Sequence, residues 1–110
     1  AHVPNFENYR HLSRRNSEVY GASKAGVEQL ARYFARLLGP AGLRINAVAP
    51  GGVYQPEVHS DEFVSQYLKD CALKTMVRDK DVVDAVFFLL SDSARSITGQ
   101  TLRVDSGFGL

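Results

Sequence analysis

Hydrophobic and polar positions change period several times along this chain, and each change marks an element. Between Ser17 and Leu38, the apolar residues Val27, Leu30, Phe34 and Leu38 recur at steps of three and four, which predicts a helix with one apolar stripe. Ser17 suits the N-cap, and Glu18 sits in the first turn, where a carboxylate meets the positive end of the helix dipole. Gly21, Ala22, Ala25, Gly26, Ala31 and Ala35 leave room for a neighbour to pack closely. Gly39-Pro40 predicts the stop, Gly just past the end and Pro unable to continue the helix. Leu43–Ala49 is short and apolar, carries Ile and Val, and is bounded by Gly42 and Pro50; it reads as a buried parallel strand.

Asp61–Cys71 carries apolar residues at Phe63, Val64, Tyr67, Leu68 and Cys71 behind two acids, a short amphipathic helix. Asp79–Leu90 predicts a further helix, with Val82, Val83, Val86, Phe87, Leu89 and Leu90 forming a broad apolar face and Ser91-Asp92-Ser93 ending it. After a loop at Ser96–Gln100, Thr101–Asp105 alternates as a strand does and stops at Ser106-Gly107. Residues 1–16 hold no sustained period and read as a loop. Helices alternating with short apolar strands place the chain in the α/β class.

Composition narrows the function classes. A formal charge of +1 across 110 residues gives no global pull towards nucleic acid or an anionic membrane, and neither is expected as a partner. Cys71 is the only cysteine, so no internal disulfide forms and a reducing cytoplasm is the natural compartment. No apolar run reaches transmembrane length, and the first residues lack the apolar core of a signal peptide. His2, His11 and His59 have no partner at ligand spacing, and no metal site is expected.

Tyr20 and Lys24 are the candidate chemistry. Four residues apart on a helix, they stand one above the other on one face. A phenol, with a pKa of about 10, is a poor proton shuttle at neutral pH. A fixed ammonium beside it favours the phenolate, which makes such a pair a plausible general acid/base. The turn Pro50-Gly51-Gly52-Val53 leaves the C-terminal end of the first strand, where open α/β sheets bind ligands, and its glycines would let backbone approach a flat ring. Arg10-His11-Leu12-Ser13-Arg14-Arg15 reads as a solvated loop, with gripping of an anionic substrate as the minor alternative.

Tyr20-Gly-Ala-Ser-Lys-Ala-Gly26, then Leu43-Arg-Ile-Asn-Ala-Val-Ala-Pro-Gly51, then Ile97-Thr-Gly-Gln-Thr-Leu-Arg-Val-Asp105 together resemble the short-chain dehydrogenase/reductase family, in its order and at roughly its spacing. The resemblance implies the C-terminal half of a doubly wound, Rossmann-type parallel sheet with flanking helices. Residues 1–110 would then be the C-terminal part of one domain, whose preceding half would hold the glycine-rich phosphate loop; no G-x-G-x-x-G occurs here. It implies reversible hydride transfer between a nicotinamide cofactor, NAD or NADP, and a small-molecule alcohol or carbonyl. Tyr20 would be the acid/base, Lys24 would hold the nicotinamide ribose, and the turn at Pro50, Gly51, Gly52 and Val53 would face the nicotinamide with main-chain groups near Val53 meeting its carboxamide.

Two positions depart from the family pattern. Relatives commonly carry Thr where Gln55 stands, and a Gln amide could still bond cofactor groups; they tend to carry Gly where Ser106 stands. A catalytic Ser would lie just upstream of Ala1, and neither Ser13 nor Ser17 is a convincing substitute. Residues 54–78 would be the substrate-covering segment, with Tyr54 facing substrate, and such lids are usually mobile. Tyr33, Phe34, Leu37 and Leu38 offer more apolar surface than one sheet face covers, and the family implies a homodimer or homotetramer through this helix. The rival expectation is a truncated, non-catalytic member serving as a binding or assembly module. The intact Tyr20/Lys24 pair argues against it.

Overall fold

The computed structural model describes residues 18–110. The Ser17 N-cap, the loop at residues 1–16 and the basic tract within it, with Ser13, lie outside the described residues. Helix α1 spans Glu18–Leu38 with Glu18 in its first turn, as the pattern predicted.

Its end differs from the expectation. Gly39 is not the left-handed residue past the helix. Gly39–Ala41 tightens into a 3₁₀ turn with Pro40 near its start, and Gly42 takes the left-handed conformation at φ 83°. The Gly42 N–H donates to Gly39 O at 2.9 Å, and Leu43 N–H reaches back to Leu38 O at 3.4 Å. Pro40 is tolerated at the start of a helical turn, where an N–H has no partner to lose. The glycine requirement therefore moves three residues on.

The first strand, β1, is Ala47–Pro50, shorter than Leu43–Ala49 and shifted towards its C-terminus. The cause is side-chain competition for the ladder. Thr98 Oγ1 accepts from Ile45 N–H at 3.0 Å, Asn46 Oδ1 accepts from Gln100 N–H at 3.0 Å, and Asn46 Nδ2 donates to Ile97 O at 3.0 Å. Regular pairing starts only where these stop, with Ala47 N–H to Gln100 O at 2.8 Å. Strand β2 is Thr101–Val104, parallel to β1 in the register Ala47↔Thr101 to Pro50↔Val104. Both Ala47 and Gly51 donate towards β2, so alternation turns the Pro50 nitrogen to the other edge, where its missing hydrogen costs no bond to β2.

Helix α2 is Asp61–Lys69, capped by Ser60, whose Oγ accepts from Phe63 N–H at 3.1 Å. At its other end the Lys74 ammonium folds back onto Leu68 O and Lys69 O, both at 3.1 Å, placing a cation on the negative helix terminus. Helix α3 is Asp79–Leu90, with the Asp81 carboxylate accepting from Arg78 N–H at 2.8 Å at the start. A 3₁₀ turn at Asp92–Ala94 follows.

Residues that share a face show the layering. Val48 borders one groove with Val86, Leu89 and Leu90 of α3. Thr101, the register partner of Ala47, borders another with Ala25, Glu28, Gln29 and Arg32 of α1. Adjacent strand residues point to opposite faces, so α1 and α3 cover opposite sides of the sheet. This is doubly wound α/β architecture.

Close packing falls on the small side of α1. Ala31 and Ala35 are buried, and a Cβ added at Gly99 would lie 3.4 Å from the Ala35 methyl. The stripe expected from Val27, Leu30 and Phe34 is instead exposed in this structure, together with Tyr33 and Leu37. On α3 only Leu89 is buried.

Candidate active site

Helical rise and strand rise together determine where Tyr20 and Lys24 stand relative to the turn after β1. Gly99 packs against Arg32 and Ala35 of α1, and its N–H donates to Ile45 O at 2.7 Å, so those residues share a level. Tyr20 lies twelve to fifteen residues further up α1, about 18–22 Å at the helical rise. The same distance along an extended strand is about six residues, which runs from Ile45 to Gly51. By this count Tyr20 stands level with Gly51, and Lys24, eight to eleven residues up, level with Ala49 or Pro50.

The Tyr20 ring is half exposed, and the Lys24 Nζ stands 5.4 Å from its centroid, inside the range in which a cation is drawn to an aromatic face. Ser23 Oγ donates to Tyr20 O at 2.8 Å, a local bond within the first turns. Both side chains share one face, as their spacing requires.

At the turn, sequence reasoning about the two glycines is revised. A Cβ at Gly51 would come within 2.8 Å of the Cα and Cβ of Asp105. A Cβ at Gly52 would come within 2.8 Å of Tyr67 Cζ and 2.9 Å of its oxygen. The close approaches that demand glycine here are made by the protein itself. The turn is held from β2 by Gly51 N–H to Val104 O at 2.8 Å and from α2 by Gly52 N–H to Tyr67 Oη at 2.6 Å. Val53 then forms an isolated parallel bridge with Val77, sealed by Tyr54 N–H to Val77 O at 2.8 Å. Alternation turns the Val53 N–H away from Val77, and no hydrogen bond among the described residues takes it up. A main-chain donor left over at the C-terminal end of a strand fits a carboxamide oxygen.

Gln55 contributes its main chain to a small knot rather than its side chain to a bond. Its N–H donates to His59 Nδ1 at 3.2 Å, and its carbonyl accepts from Val58 N–H and His59 N–H. The side chain itself is exposed. Among the described residues, no group of three or more His, Cys, Asp or Glu could hold a metal ion.

An aromatic series that sequence reasoning passed over runs beside the turn. His59, Phe63, Tyr67 and Phe108 stack in succession with centroids 4.9, 6.0 and 4.6 Å apart, and Tyr54 joins His59 at 6.3 Å. The four-residue steps 59, 63 and 67 are the signal that could have found it. The segment that follows α2 is seated firmly: Leu73 N–H bonds Ser106 O at 3.0 Å, Gly109 N–H bonds Asp70 O at 2.9 Å, and Cys71, Met76 and Val77 are buried.

Comparison with known proteins decides the lineage. The family described as "Enoyl-(Acyl carrier protein) reductase" matches residues 9–109. Over 98% of its length the chain is 38% identical to the post-translational flagellin modification protein A of Campylobacter coli, and over 84% it is 42% identical to the 7alpha-hydroxysteroid dehydrogenase of Bacteroides fragilis. The chain belongs to the short-chain dehydrogenase/reductase family. It spans about two fifths of those relatives, 41% and 37% of their lengths. A crystal structure of a short-chain dehydrogenase from Leptospira borgpetersenii with bound NAD+ superimposes on 98% of this chain and 40% of its own, with a TM-score of 0.87 and 33% identity. The short-chain dehydrogenase/reductase core seen here is thus part of a Rossmann-type sheet, its β1–β2 pair flanked on both faces by α1 and α3.

Proposed function

We propose that this chain carries the acid/base pair and the nicotinamide-facing turn of an NAD- or NADP-dependent oxidoreductase acting on a small alcohol or carbonyl compound. The reading is supported by the shared face of Tyr20 and Lys24 on α1 and by the residue count that puts this pair beside the strand end from which the turn at Pro50, Gly51, Gly52 and Val53 leaves. When bound, the nicotinamide supplies a hydride to the carbonyl carbon, or accepts one from the carbinol carbon. Tyr20 Oη gives its proton to the carbonyl oxygen in reduction and takes the hydroxyl proton in oxidation, so hydride and proton together account for the two electrons and both hydrogens. Lys24 holds the ribose hydroxyls with its compact ammonium and keeps positive charge beside the phenol. The Val53 N–H receives the carboxamide, with Gln55 close by.

Residues 54–78 cover the substrate in this reading, with Tyr54 and the aromatic series lining the approach. The exposed apolar stripe of α1, with Tyr33, Phe34 and Leu37, supports a homodimer or homotetramer. No described helix is long and apolar enough to cross a membrane, and a free, buried Cys71 suits the cytoplasm.

The test follows hydride transfer by the absorbance of reduced nicotinamide in the native polypeptide, over a panel of hydroxysteroids and 3-oxoacyl thioesters. Tyr20→Phe keeps the ring and loses only the proton-carrying oxygen, so turnover should fall by about two to four orders of magnitude while cofactor binding survives. Near-normal turnover in Tyr20→Phe would leave Tyr20 a surface helix residue and remove the enzymatic reading of the pair.

A further inference from the structure

Helix α2 does more than cover the site: one of its side chains is built into the turn. Tyr67 Oη accepts the Gly52 N–H at 2.6 Å, the shortest of the bonds that hold this turn, and the ring occupies the space a Cβ at Gly52 would need. The ring is itself fixed from both sides, by Phe108 at 4.6 Å and 20° and by Phe63 at 6.0 Å and 24°. Phe108 is buried, and its segment is pinned to the end of α2 through Gly109 N–H to Asp70 O. The phenol is therefore a rigid acceptor aimed at one peptide of the turn. That peptide, Gly51–Gly52, comes one before the peptide that carries the Val53 N–H, which is left over at the strand end. Only the φ and ψ of Gly52 separate the peptide that Tyr67 holds from the one that carries the Val53 N–H, so the held peptide is the base from which the Val53 amide is aimed.

Resting on the cofactor reading above, we infer that Tyr67 is a positioning residue, which through its bond to the Gly52 N–H fixes the Val53 amide for the nicotinamide carboxamide and makes cofactor grip depend on the seating of α2. Tyr67 does not touch the reacting atoms. Its bond to the Gly52 N–H lies within this turn, so the effect of that bond falls on the nicotinamide end of the cofactor.

Tyr67→Phe in the native polypeptide keeps the stack with Phe63 and Phe108 and removes the hydroxyl that accepts the Gly52 N–H. Dissociation constants are measured by calorimetry for NAD(H), or NADP(H) if that is preferred, and for ADP-ribose or its 2′-phosphate, which lack the nicotinamide. The variant should bind the complete cofactor at least about fivefold more weakly, as expected when a partly buried N–H loses its acceptor, with ADP-ribose affinity unchanged. The ratio of the two constants is internal to each preparation, so a partly folded variant still gives an answer. An unchanged ratio, or an equal loss for both ligands, overturns the inference. If the unsubstituted protein binds neither ligand, the cofactor reading itself fails and this inference with it. If it binds both and the ratio alone is insensitive to Tyr67, only the positioning role is lost.

Discussion

Gly51→Ala should be among the most damaging single-methyl additions in this chain, and its cost can be worked from contact distances. The new Cβ would meet the Cα and Cβ of Asp105 at 2.8 Å and Tyr67 Oη at 3.3 Å. Unstrained carbon contacts begin at about 3.5 Å, so the two backbones must part by about 0.7 Å. Asp105 cannot easily yield: its carboxylate is tied to the Gly107 N–H at 3.0 Å and to the Arg103 guanidinium at 2.6 Å, and its carbonyl accepts from Phe108 N–H at 3.0 Å. Parting the strands by that much stretches the Gly51 N–H to Val104 O bond from 2.8 Å to about 3.5 Å, where it ceases to count. A lost bond of about 1 kcal/mol and an overpacking cost of about 1–3 kcal/mol give about 2–4 kcal/mol of destabilisation. Gly52→Ala should also destabilise, by about 1–3 kcal/mol, because its Cβ would meet Tyr67 Cζ at 2.8 Å in a ring held by Phe63 and Phe108. Urea denaturation of the native polypeptide, with equal slopes for all variants, measures both. Either variant within about 0.5 kcal/mol of the parent would refute the geometric reasoning.

Ser106 adopts φ 55°, a left-handed conformation in which a Cβ is strained. Ser106→Gly should raise stability by about 0.5–1 kcal/mol in thermal unfolding, and a loss of stability would contradict the strain argument. Burial pushes the Cys71 thiol up, with Lys74 opposing, so the folded protein keeps this proton longer than the unfolded chain does. The associated stability is complete below about pH 8.5, the unfolded value, and drains away as pH rises through the folded value; Cys71→Ala should flatten that alkaline decline in chemical denaturation at pH 7 and pH 10. Phe34→Asp on the exposed face of α1 should convert an oligomer to monomer in sedimentation velocity without unfolding it, and an unchanged oligomer would remove this helix as the interface.

Elements whose limits are local were legible in the sequence. Helix α3 runs from Asp79 to Leu90 as the pattern predicted because acids begin it and Ser91 closes it, with the Ser91 hydroxyl donating to Phe88 O at 2.7 Å. Limits set by distant partners were not. The start of β1 depends on Thr98 and Gln100, more than fifty residues away, and no window around Leu43 contains them. The buried side of α1 was only half legible: the three- and four-residue period marked Val27 and Leu30, while the tight packing at Gly99 falls on Ala31 and Ala35, among the small residues expected to admit a neighbour. In the candidate site, the common face of Tyr20 and Lys24 follows from helical spacing. The Tyr67–Gly52 bond does not, because it joins two elements whose meeting only the fold decides.

The parallel pairing of β1 with β2 also sets a timetable for synthesis. Ala47 cannot find Thr101, nor can the segment after α2 find Ser106 and Phe108, until those later residues have left the ribosome. The sixty or so residues between Ala47 and Phe108 take about 3–12 s at usual elongation rates. For that interval an apolar strand waits without this partner, a window in which a chaperone, or another nascent copy, competes for the edge that β2 will finally cover.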